Sequence, residues 1–110
     1  MRIPRCVVFL LLLVFAAPVS GQDLQSIIDE CEACHGPNGM SAQDDIPSVA
    51  GMDPAKLQEA LMEFYYFERH CTTTTYRYGD RPKTPLNMCN VATTLGDEDR
   101  VAIAEYFANR

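Results

Sequence analysis

The most pointed chemistry in the chain lies in one short run, Cys31-Glu32-Ala33-Cys34-His35. Two residues between the cysteines let both sulfurs reach the two vinyl groups of a single porphyrin as thioethers, and the adjacent histidine turns beneath the ring to ligate its iron. The C-x-x-C-H spacing therefore predicts covalent attachment of one haem c through Cys31 and Cys34, with His35 as an axial ligand. Without His35 the pair would equally suit a thioredoxin-type dithiol or half of a zinc site. No second C-x-x-C is present to complete a zinc site.

The other axial position decides between a carrier and an enzyme, because Met/His ligation closes the iron and raises its potential while an open position admits small molecules. The candidates are Met40, Met52, Met62, Met88 and His70. Met40 follows His35 by only five residues and would struggle to reach the opposite face of the ring. Met62 falls inside an expected helix and Met52 just before its start, positions where methionine commonly fills a core. Met88 follows Pro85 in an irregular stretch before the last helix, far enough along to close over the other face. Met88 is the expected distal ligand, and packing of Met88 on the core is the competing role.

The elements that must position these groups start with an N-terminal export segment. Arg2 and Arg5 precede an apolar run from Cys6 to Ala17, then Pro18 and small residues. This is the layout of a secretory signal peptide spanning 1–21, too short to cross a bilayer, with cleavage expected after Gly21. Cys6 would leave with it, and no membrane span would remain. Residues 22–110 then form one domain, small enough to need a staple.

Export explains the remaining cysteines. Thiols do not stay free in an oxidising compartment unless they are used, so Cys71 and Cys89 are expected to form a disulfide. Zinc binding by His70, Cys71 and Cys89 is the rival, and it lacks a fourth ligand at recognisable spacing. The charge is acidic, −6 for the chain and −8 once Arg2 and Arg5 are gone. That balance disfavours nucleic acid and steers a basic partner surface toward this one, although it also serves plain solubility.

Three helices are predicted. Leu24, Ile27, Ile28 and Cys31 share one face of a helix over 24–33, with Asp23 placed to cap it. Asp53-Pro54 opens a second, continued by Leu57, Leu61, Phe64 and Phe67 toward Arg69. The last starts near Gly96, where Asp97, Glu98 and Asp99 suit the positive end of the helix dipole, and runs through Val101, Ala104, Tyr106 and Phe107. Between the first two lies a loop rich in Gly, Pro, Asn and Asp, and 72–78 reads as an extended loop or short hairpin.

Taken together, CEACHGPNGMSAQDDIPSVAGM and PLNMCNVATTLGDEDRVAIAEYFANR resemble the attachment loop and the distal-methionine region of class I c-type cytochromes of the small periplasmic monohaem type. The resemblance covers nearly all of 22–110 and is closest to the cytochrome subunit of flavocytochrome c sulfide dehydrogenases. It implies an all-α class I cytochrome c fold, three or more helices around one haem. It also implies His35 as proximal and Met88 as distal ligand, the Pro47 carbonyl accepting from the other His35 ring nitrogen, and Tyr106 and Phe107 packing the last helix across the first. The segment HCTTTTYRYGDRPKTPLN is longer than the family's usual connection before the methionine and would serve as a partner surface or as cover for a haem edge. In it Arg77, Arg81, Lys83 and Tyr76 are candidates for the haem propionates.

The expected function is periplasmic electron transfer by one-electron Fe(III)/Fe(II) cycling, with no catalytic residue and with redox proteins as partners, a flavoprotein or a basic-surfaced oxidoreductase among them. Two alternatives stand beside a free shuttle. One is a haem subunit held by a flavin-containing sulfide dehydrogenase. The other is a haem enzyme or gas sensor with an exchangeable distal site.

Overall fold

The computed structural model describes residues 23–110, so the expected signal peptide, with Cys6 and the cleavage point, lies outside the described residues. Four α-helices follow in order: α1, Leu24–His35; α2, Pro54–Tyr65; α3, Met88–Thr93; and α4, Asp97–Ala108, with one 3-10 turn at Pro37–Gly39. Among the described residues there is no strand, only an isolated antiparallel bridge between Thr74 and Leu86. The architecture is all-α, as expected of a class I cytochrome.

The caps explain where the helices begin. The Asp53 carboxylate accepts from the backbone N–H groups of Ala55 and Lys56 at 2.8 and 3.2 Å, with Pro54 at the first helical position. Asp99 reaches back to the Gly96 N–H at 2.9 Å, and three carboxylates occupy the first turn of α4. Asp23 stands at the cap position of α1, but its side chain takes no backbone N–H; its carboxylate accepts from the Ser26 hydroxyl instead.

Helix α2 ends sooner than its apolar spacing implies. Phe67 adopts a left-handed conformation (φ 57°), its N–H bonds to Phe64 and the Glu68 N–H reaches back to the Glu63 carbonyl. That is the hydrogen-bond pattern of a Schellman motif with phenylalanine where glycine is usual. Phe67 is thus 68% exposed rather than part of the buried face. Met88, expected in an irregular stretch, is instead the first residue of α3. The Asn87 side chain caps that helix by accepting from the Asn90 N–H at 3.0 Å.

The core joins Ile27 and Ile28 of α1, Leu57 and Leu61 of α2, Leu95, and Ile103, Ala104 and Phe107 of α4. Leu24 and Val101 point outward. Helix α2 packs on both α3 and α4, and α4 lies against α1. Tyr106 and Phe107 meet edge to face, centroids 5.0 Å apart, with Phe107 fully buried and Tyr106 packed against the core. A buried arginine ties two helix ends together: the Arg100 guanidinium donates to the Leu95 carbonyl at 2.8 Å, pairs with Asp97 and lies over the Tyr65 ring.

Candidate haem site

Helix α1 delivers the attachment residues in its last two turns. Cys31 and Cys34 are partly buried and are not bonded to each other. Burial, reinforced by Glu30, pushes the Cys31 thiol up to about 12. Burial raises Cys34 as well, against the opposing charge of Arg77. Neutral thiols are poor exchange nucleophiles, which argues against the dithiol alternative for this pair. A thioether has no ionisation to suppress, so the same apolar wall suits it.

His35 is the last residue of α1, where the helix turns into the Gly36–Gly39 corner. Its Nδ1 donates to the Pro47 carbonyl at 2.6 Å, which leaves Nε2 as the free lone pair. Burial pulls the imidazole below its ordinary pKa, partly opposed by that hydrogen bond, which favours the neutral form that binds a metal. The corner needs its glycine. At Gly39 (φ 77°) an added Cβ would meet the Phe107 ring at 2.8 Å and the Val49 side chain at 2.9 Å, while the Gly39 carbonyl accepts from Val49 and Ala50. Gly51 in turn donates to the Phe107 carbonyl at 2.8 Å. The loop bearing Pro47 is thereby pinned to the end of α4.

These elements enclose a cavity of about 290 Å³. Cys31, Cys34, His35 and Pro47 line it together with Met52, Leu57, Leu61 and Phe64, and so do Met88 and His70. Met88 is partly buried against the core. Met40 is 63% exposed and Met62 does not reach the cavity wall. The Cys71–Cys89 disulfide is formed, with Cα atoms 5.8 Å apart, and Cys71 also borders the cavity. Among the described residues no group of three or more His, Cys, Asp or Glu side chains is placed to hold a metal ion.

The long segment before Met88 folds back over α1. Ala33 lies near the helix end, and the residue four positions on is Pro37, which has no N–H to offer. The Ala33 carbonyl instead accepts from the backbone of Arg77 and Tyr78 at 2.8 and 2.9 Å. The Arg77 guanidinium clamps Asp45 through two hydrogen bonds of 3.1 and 2.7 Å, and the Tyr78 hydroxyl accepts from the Ala42 N–H. The Tyr76 hydroxyl donates to Glu30, Lys83 donates to the Tyr76 carbonyl, and Arg81 lies over the Tyr76 ring. Of the four propionate candidates only Tyr76 borders the cavity; Arg77 is engaged by Asp45, and Lys83 and Arg81 by Tyr76. Thr72, Thr73 and Thr74 line the cavity, a role their sequence did not announce. The orphaned acceptor left by Pro37 was the one local sign that something must dock there.

A helical domain that forms an apolar cavity around C-x-x-C-H, with the histidine oriented by the Pro47 carbonyl, defines a c-type haem protein. The cytochrome c family model matches residues 21–110, and the chain belongs to that family. It carries one covalently bound haem c. A protein named thiosulfate dehydrogenase electron acceptor, from Stutzerimonas stutzeri (strain A1501), is 35% identical over 83 residues, covering 74% of this chain and 33% of its own length. Cytochrome c4 of Pseudomonas aeruginosa is 31% identical over 80 residues, 73% of this chain and 33% of that protein. The matches thus span about a third of the length of these relatives. No solved structure matches the chain significantly. No helix among the described residues is long and apolar enough to cross a membrane.

Proposed function

We propose that the protein is a periplasmic electron carrier whose haem is attached through Cys31 and Cys34 and ligated by His35 and Met88. The observation that carries this is the shared cavity: His35, with only Nε2 free, and the Met88 thioether border one apolar space. The bound haem supplies one-electron Fe(III)/Fe(II) exchange. The chain's own residues do the rest. Pro47 fixes the plane of His35, Leu57, Leu61 and Phe64 exclude water, and Met88 occupies the position at which a small molecule would otherwise bind. Closure by Met88 favours a carrier over an enzyme or sensor.

The name of one relative supports an oxidoreductase as electron donor, and the acidic surface suits a partner with a basic docking face. Visible spectra of both redox states test the ligation. Wild-type ferric protein should display the long-wavelength methionine-to-iron absorption, and its ferrous form should refuse carbon monoxide. Met88→Ala should lose the band while keeping covalent haem. A Met88→Ala spectrum identical to wild type would remove Met88 from the iron.

A further inference from the structure

His70 and Met88 stand in a symmetrical relation that the proposed ligation does not use. Each immediately precedes one half of the disulfide, His70 before Cys71 and Met88 before Cys89, and both side chains border the haem cavity. Their settings differ sharply. Met88 starts α3, behind the Asn87 cap and beside Cys89, which is only 2% exposed. His70 sits in an exposed, irregular stretch after the end of α2, with no hydrogen-bond partner among the described residues. The bridge, closing 18 residues, is what ties that stretch to the anchored helix.

A haem held in this cavity would thus meet two donors of different character. Imidazole is the harder nitrogen ligand and suits ferric iron, whereas thioether is soft and raises the potential by favouring the ferrous state. An unpartnered histidine at the cavity wall would compete for ferric iron unless its backbone were held back. We infer that the Cys71–Cys89 disulfide selects the sixth ligand: it restrains His70 so that Met88 keeps the iron, and without it His70 takes the ferric iron. The inference rests on Met88 being the ligand in the intact protein. Cys71 and Cys89 act here as positioning residues, through the backbone of their neighbours.

The test compares purified holoprotein of wild type, C71S/C89S and H70A/C71S/C89S by ferric spectrum, midpoint potential and carbon monoxide binding. C71S/C89S should lose the methionine band, stay low-spin and show a lower potential. Adding His70→Ala should remove the new nitrogen ligand, either restoring the methionine band or leaving a high-spin iron that binds carbon monoxide once reduced. A C71S/C89S protein with the wild-type band and potential overturns the inference, as does a triple variant indistinguishable from the double. Absence of the band in wild type would instead strike the Met88 ligation itself.

If C71S/C89S does not accumulate, the bridge is opened in wild-type and His70→Ala holoprotein with a water-soluble phosphine. The phosphine becomes its oxide with oxygen from water, and each sulfur gains one electron and one proton. The thiols are then alkylated and the haem reoxidised with ferricyanide before the same spectra are taken. Loss of the band in wild type with a low-spin spectrum that His70→Ala abolishes supports the inference; retention of the band overturns it.

Discussion

The segment around His35 and the segment around Met88 border the same cavity but are held by opposite means. Around His35 the supports of the ring and its turn come mostly from within twenty residues: Pro47 orients the ring and Gly39 receives Val49 and Ala50, while ties to Phe107 and from Arg77 and Tyr78 reach across the fold. On the Met88 side the supports join separate elements rather than neighbours in one turn. The disulfide, the Thr74–Leu86 bridge, the docking of Arg77 and Tyr78 on Ala33 and the contact of Tyr76 with Glu30 hold the irregular stretch 66–87 that leads into α3. The proximal side is a packed corner, and the distal side is a tethered loop. A packed corner fails through lost volume or added strain, while a tethered loop fails one tether at a time.

The contrast can be broken most forcefully at the corner's anchor. Phe107→Ala removes a fully buried ring that touches both the core and the Gly39 turn, and should cost about 3–5 kcal/mol in chemical denaturation of the holoprotein. Gly39→Ala adds only a methyl, but at positive φ and against Phe107 and Val49, and should cost about 2–3 kcal/mol by the same assay. On the distal side Asn87→Ala deletes the cap of α3, a loss of about 1 kcal/mol. Its clearer signature should be faster entry of an exogenous ferric ligand, measured by stopped flow, because the loosened helix carries Met88. A large loss of global stability with unchanged ligand entry would contradict the tethered-loop description.

The smallest effect concerns the Arg77–Asp45 clamp. Its hydrogen bonds to Arg77 hold the Asp45 carboxyl below the ordinary carboxylate value. A depressed folded-state pKa contributes stability above the unfolded value of about 4 and loses it as pH falls through the lower folded value. Wild type should therefore exceed Asp45→Asn in stability modestly at pH 7, and the gap should close toward pH 3 in parallel denaturation series. A gap that persists at low pH would show that the clamp acts by shape rather than by charge.

The same division governs what could be read from the residues alone. C-x-x-C-H, the Asp53-Pro54 start and the acidic start of α4 are local signals, each with a mechanism confined to a few positions, and the structure places all three elements accordingly. Helix α3 escaped because six residues are too few to display a helical period, although Asn87 was its available cap signal. The end of α2 was misplaced because Phe67 continues the apolar spacing while its backbone has already turned left-handed, without the glycine that usually announces that turn. Arg100 gave no sign that it would be buried, since its partners, the Leu95 carbonyl and the Tyr65 ring, are brought to it only by tertiary packing.

Pro37 shows how an absence can carry information across the chain. By withholding one hydrogen it leaves the Ala33 carbonyl open, and that opening fixes where a segment some forty residues later comes to rest. The address of the distal loop is thus written in the proximal corner, at a residue outside the loop itself. A redesign that exchanged Pro37 for a residue with a free N–H would edit the loop's destination without altering a single residue of the loop.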